Sequence, residues 1–206
     1  EQAKAFKNSL EYLDFGGGFK VSYHDEDFAI DEKGIAEWLI RKIKDFEGYC
    51  GRPIRIVLEP GKCLEREAGG FLTEVTQLKK TYNTTFAHLN SGFNHFIRPM
   101  YYEANHEITV LGKEGKSAFK KYSVVGYLCE TDTFASDRSL PELAVGDVLV
   151  FHNAGAYAYS MASQYNQRPR PAEILMFNGA AHLIRKREVF DDLLATQLPL
   201  KGFLGS

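Results

Sequence analysis

The chain has 206 residues, 44% of them hydrophobic and 13% aromatic, which suits one or two domains with a buried core and argues against disorder. Lys and Arg number 25 against 27 Asp and Glu, and the net charge of −2 leaves no basic stripe for nucleic acid. No run of about 18 apolar residues suggests a membrane-spanning helix, and the scattered Cys50, Cys63 and Cys129 match neither a disulfide framework nor a metal pattern.

Residues 3–10 are weakly helical. Leu13, Asp14 and Phe15 read as a short strand ending in Gly16-Gly17-Gly18. Asp31 suits the N-cap of a helix running to about Tyr49, with Ile35, Trp38, Leu39, Ile43 and Phe46 along one stripe. Gly51-Arg52-Pro53 ends it. Residues 54–61 are apolar and rich in β-branched side chains, stopped by Pro60-Gly61. Strand, helix and strand with short connections make a unit of a parallel sheet or barrel. After Gly69-Gly70 the texture changes. Short apolar segments at 71–82, 106–112, 122–129, 147–153 and 172–178, separated by turn residues, predict an antiparallel β domain. A short helix is expected at 187–195. The boundary falls near residue 70, so the expected domains are 1–70 and 71–206.

Several groups can carry chemistry. Three glycines after a strand let backbone N–H groups approach an anion with no Cβ in the way; a flexible turn is the plainer reading. Glu59-Pro60-Gly61-Lys62 sits at the equivalent end of the next strand. There a carboxylate can face a pyridinium or an amine, and Gly61 and Lys62 can meet a phosphate; a solvated turn is the alternative. Arg98 and Tyr102, four residues apart, suit a carboxylate. His95 and His106 read as structural or solvated rather than as ligands. Cys129 and Glu130 follow an apolar strand and can supply a proton and hold an amine, although a lone cysteine is usually a small buried hydrophobe. Residues 153–159 are mostly small, with Tyr157 as a polar handle. Arg168-Pro169-Arg170-Pro171 reads as a stiff structural turn.

In chain order, LDFGGGF (13–19), EPGK (59–62), IRPMYY (97–102), VVGYLCETD (124–132), the stretch at 146–166 and RPRPAEI (168–174) resemble the motifs of the alanine-racemase-like, fold-type-III pyridoxal-phosphate decarboxylases. The resemblance covers nearly the whole chain. It implies an α/β plus β fold: the C-terminal part of a cofactor-binding (β/α)8 barrel, followed by an antiparallel β-sandwich or barrel-like domain. It implies pyridoxal 5'-phosphate as cofactor, with Gly16, Gly17, Gly18 and Gly61 on the phosphate, Lys62 beside them, and Glu59 on the pyridinium nitrogen. Arg98 and Tyr102 would hold a substrate carboxylate. Glu130 would take the distal amino group, Cys129 would be the proton donor, and Tyr157 would contact cofactor and substrate. Lys62 stands where the family usually has Arg, and it lacks the guanidinium fork for a substrate carboxylate.

The implied activity is decarboxylation of meso-2,6-diaminopimelate to L-lysine. Arginine, ornithine or carboxynorspermidine are the alternative substrates, and a non-catalytic regulatory homologue is the alternative role. No metal is implied. The partners implied are a second copy, whose site Cys129 and Glu130 would enter, and the N-terminal half of the barrel. The family's Schiff-base lysine lies in that half and has no match here, so these residues alone are expected to be inactive. Glu1 is not preceded by a signal-peptide pattern, and a cytoplasmic protein is expected.

Overall fold

A computed structural model describes residues 5–19, 30–117 and 119–198. The chain divides into two compact units, Glu1–Ala68 and Gly69–Ser206.

The first unit contains β1 (Tyr12–Asp14), α1 (Glu32–Cys50), β2 (Arg55–Val57) and α2 (Lys62–Glu65). β1 and β2 pair in parallel, with Leu13 opposite Ile56. Helix α1 begins and ends on local signals. The Asp31 carboxylate accepts the Gly34 N–H at 2.9 Å, and Gly51, at φ 70°, donates its N–H to Glu47 O. The Glu47 carboxylate also accepts the Ile54 N–H, joining the end of the helix to the approach to β2. The apolar stripe of α1 is only partly covered: Leu39, Ile43 and Phe46 are half-buried, while Ile35 and Trp38 are exposed. The weak helix expected at 3–10 is a single turn over its described residues, closed by the Leu10 N–H on Phe6 O.

The second unit opens with β3 (Phe71–Lys80) and β4 (Thr85–Leu89). It continues through α3 (Arg98–Tyr102), β5 (Ile108–Val110), β6 (Phe119–Val125), β7 (Thr133–Pro141), β8 (Val148–Phe151), β9 (Glu173–Phe177), β10 (Ala180–Arg185) and α4 (Phe190–Leu194). Six strands form one sheet in the order β5-β8-β3-β4-β6-β7. Its edge strands β5 and β7 approach each other, so the sheet is a nearly closed barrel. Burial alternates along β4, β5 and β8 as a sheet with one inner face requires. Val75, Leu89, Phe96, Val124, Leu149 and Phe151 fill the interior.

The expectation of a wholly antiparallel domain is corrected here. β4 and β6 run in parallel, with Ala87 opposite Val124. A parallel pair needs a long crossover, and the segment after β4 supplies it while placing β5 against β8. β9 and β10 form a separate hairpin. Its turn is Asn178-Gly179, both at positive φ, as a two-residue hairpin turn demands. The helix expected at 187–195 is shorter, Phe190–Leu194. It starts where the Asp192 carboxylate accepts the Val189 N–H at 2.8 Å.

Candidate functional site

In the first unit, parallel pairing brings the carboxyl ends of β1 and β2 to one rim. Beyond the strands the backbones stay joined: the Phe15 N–H donates to Val57 O and the Glu59 N–H donates to Gly16 O at 2.8 Å. Gly16 and Gly18 lie at φ 65° and 80°, a region L side chains avoid. A Cβ on Gly17 would collide with the Glu59 carbonyl oxygen. Gly16, Gly17, Gly18 and Glu59 therefore meet at one place, with the Glu59 side chain exposed. Gly61 precedes α2, and Lys62 is the first residue of that helix. A side-chain-free segment beside a carboxylate and a lysine suits a ligand bearing both a phosphate and a basic ring nitrogen.

In the second unit, Tyr157 joins Arg98 and Tyr102, which share one short helix. Arg98, the first residue of α3, is buried. Its guanidinium carbon lies 5.3 Å from the Tyr102 ring centroid and 5.8 Å from that of Tyr157. Two aromatic faces thus flank one guanidinium, a cation–π arrangement that fixes its plane. Tyr157 is held at φ 59°. The small residues before it serve backbone packing: a Cβ on Gly69 would lie 2.7 Å from Gly155 Cα, and the Ala154 N–H donates to Gly69 O at 2.7 Å.

Cys129 and Glu130 sit on the loop between β6 and β7, both exposed. The Cys129 thiol donates to Glu130 Oε2 at 3.2 Å. The Asn166 side-chain amide lies 3.9 Å from the same sulfur. The Tyr165 hydroxyl beside Glu130 is the main cause holding that carboxyl below its usual range, with the Cys129 thiol next. The loop takes its shape from Asp132, a buried carboxylate that sequence reasoning left without a role. It accepts the Phe93 N–H at 2.7 Å and the Leu128 N–H at 2.8 Å. Gly92 and Gly126 leave room for it, since a Cβ on either would collide with its carboxylate. Burial pushes its pKa up, against the two N–H bonds that favour the ionised form.

The neighbouring segments are bound into this loop. Tyr127 donates its N–H to Ser91 O, and its hydroxyl donates to Asn94 Oδ1 at 3.2 Å. The Ser163 N–H donates to Asn94 O at 2.7 Å. His95 is structural: Nδ1 meets the Ser91 hydroxyl and Nε2 meets Pro169 O at 2.9 Å. Burial lowers its pKa, which favours the neutral ring. His106 meets His152 O through Nδ1 and lies edge-on to Phe96. The 168–171 turn is structural too. Arg168 lies over the Tyr127 ring. Glu188 accepts the Arg170 N–H and Nε–H and the Gln164 amide, and the Arg170 bond above all brings its pKa down to about 2.

The family described as the C-terminal sheet domain of pyridoxal-dependent decarboxylases matches residues 19–155. The chain belongs to this pyridoxal-dependent decarboxylase family. It is 43% identical over 191 residues to the diaminopimelate decarboxylase of Methanothermobacter thermautotrophicus, covering 91% of this chain and 44% of that protein. Among solved structures, the diaminopimelate decarboxylase of M. jannaschii in complex with L-lysine superposes with a TM-score of 0.84 at 34% identity, over 96% of this chain and 45% of that one. The lysine/ornithine decarboxylase of Vibrio vulnificus complexed with cadaverine gives a TM-score of 0.63 at 26% identity, over 78% of this chain and 42% of that one. The chain spans about half the length of the relatives it matches. The decarboxylase family match runs through β8 and so takes in the Arg98 and Cys129 loops. Tyr157, Tyr165 and Asn166 lie beyond it.

Proposed function

We propose that the full-length protein is a pyridoxal 5'-phosphate-dependent decarboxylase that converts meso-2,6-diaminopimelate to L-lysine and CO2. The present residues would supply the C-terminal part of the barrel and the β domain. The observation that carries this reading is the meeting of Gly17 and Glu59 at one strand rim, where a side chain at position 17 has no room. It is supported by the 43% identity to a diaminopimelate decarboxylase and by the closer likeness to that enzyme than to the lysine/ornithine decarboxylase.

The residues fit the cofactor. Gly16, Gly17, Gly18 and Gly61 would face its phosphate through backbone amides, with Lys62 beside them, and Glu59 would keep the ring nitrogen protonated. When bound, the cofactor supplies an electron sink for the charge left on the α-carbon as CO2 departs. The rest is done by side chains. Arg98, its plane fixed between Tyr102 and Tyr157, would hold the distal carboxylate with the Tyr102 hydroxyl. Glu130 would hold the distal ammonium. Cys129 would deliver the proton that replaces CO2. Tyr157 would border both ligands, and Lys62 would give a substrate carboxylate charge without a fork. We place the cysteine and glutamate in the site of a second subunit of a homodimer. The exposed stripe of α1 would be covered by the missing half of the barrel.

A zwitterionic distal end is what Arg98 and Glu130 are suited to recognise together, and ornithine has only the ammonium. A site built to bond a group rejects substrates lacking it strongly. Full-length protein with cofactor should therefore release CO2 from meso-diaminopimelate with kcat/KM at least about 1,000-fold above that for ornithine or arginine. Absence of CO2 release from meso-diaminopimelate would overturn the reading.

A further inference from the structure

We propose that Asn166 is a positioning residue for Cys129: its side-chain amide donates to the sulfur and holds the thiol in place for proton delivery. The role given to Cys129 rests on the function proposed above, and the contact between the two side chains does not.

A thiol on an exposed loop has three staggered orientations, and only contacts select one of them. The Cys129 S–H donates to Glu130 Oε2 at 3.2 Å, and the Asn166 Nδ2–H approaches the sulfur at 3.9 Å, across 37 residues of sequence. The two contacts differ in kind. One uses the thiol's proton, and the other uses the lone pairs of its sulfur. Glu130 would turn its carboxylate to the substrate ammonium, and the contact with Asn166 is then what orients the sulfur. The same N–H faces the charge that stays on sulfur once the proton has gone, and a donor is held more strongly by an anion than by a neutral group. An amide is uncharged, so it does this without competing for the Glu130 carboxylate as a lysine or arginine would.

One carboxylate brings the pair together. Asp132 accepts the N–H of Leu128, the residue before Cys129, and the N–H of Phe93. The Phe93 ring lies 5.2 Å from that of Tyr165, the residue before Asn166. The segment is tied down on both sides of Asn166: the Ser163 N–H donates to Asn94 O at 2.7 Å, and His95 Nε2 meets Pro169 O at 2.9 Å. Asn166 sits at φ 53° and ψ 32°, in the left-handed region that asparagine tolerates better than most side chains. Glycine adopts that backbone at least as readily, so the amide can be removed without disturbing the turn.

In the full-length holoenzyme, Asn166→Gly should lower kcat for meso-diaminopimelate about tenfold and leave KM within about twofold. In a Cys129→Ala background the same substitution should change kcat less than about twofold, because no thiol remains to be held. Asn166→Asp keeps the size of the side chain and exchanges its N–H donor for a negative charge. Alkylation of Cys129 by iodoacetamide, followed on its own peptide in the full-length protein, should be at least about fivefold slower in Asn166→Asp, since a like charge at this range repels the reacting thiolate. The rates at Cys50 and Cys63 should not move. A kcat for Asn166→Gly within about twofold of wild type, an equal loss in both backgrounds, or unchanged alkylation of Cys129 in Asn166→Asp would overturn the proposal. If the wild-type protein releases no CO2 from meso-diaminopimelate, the functional reading falls, and the alkylation rates still decide whether Asn166 holds the sulfur.

Discussion

Cys129→Ala in the full-length holoenzyme should lower kcat for CO2 release or lysine formation by about 100-fold to 10,000-fold, the usual worth of a positioned proton donor, with little change in KM. The thiol meets Glu130 and Asn166, and both contacts leave it exposed at the loop surface. An exposed thiol adds little to folding, so its loss is felt in the chemical step. Cys129→Ser keeps a proton at nearly the same position and should fall between the two. A kcat for Cys129→Ala within about threefold of wild type would remove Cys129 from the proton-donor role.

Asp132→Ala is expected to have the largest structural effect. The carboxylate ties two loops, through Phe93 and Leu128, and Gly92 and Gly126 make space for it. Hydrogen bonds to a charged acceptor are worth more than neutral ones, and their loss strands two inward-facing N–H groups, so the local cost is about 2–3 kcal/mol. Amide exchange at Phe93 and Leu128 in the full-length protein should accelerate by about 100-fold. Activity should fall with it, since the same loop carries Cys129 and Glu130. Unchanged protection at both amides would refute the anchoring role. The pH dependence has a definite sign. Burial raises the folded-state pKa of Asp132 above its usual 3.8, so the folded protein binds the proton more tightly than the unfolded chain. Stability from this group therefore falls as pH rises from about 3.8 through the raised value, and Asp132→Asn removes that slope.

What the sequence made legible was local or carried by glycine. Asp31 and Gly51 delimit α1 because capping depends on residues within one turn. Gly16-Gly17-Gly18 and Glu59 were readable as a pair because two strands joined through one helix run in parallel and end on one side. Strand β4 escaped notice because it is only five residues long, and β7 because Ser136, Asp137, Arg138 and Ser139 interrupt its apolar pattern. The parallel pairing of β4 with β6 depends on a crossover whose course no local signal sets. Asp132 was present in a motif but had no visible role. That role needs Phe93, 39 residues away in sequence, and the space left at Gly92 beside it. Arg98 and Tyr102 could be paired from their spacing, whereas Tyr157 joins them only through the fold.

The central claim is that the glycine-lined rim beside Glu59 holds the cofactor phosphate. Equilibrium binding of pyridoxal 5'-phosphate to full-length wild-type and Gly17→Ala proteins tests it most directly. A methyl group at position 17 has no room against the Glu59 carbonyl, so it must push the two strand ends apart and spoil the amide cradle. Affinity should drop at least about 100-fold, a loss of roughly 2.7 kcal/mol. Equal affinity in the two proteins would show that the phosphate binds elsewhere.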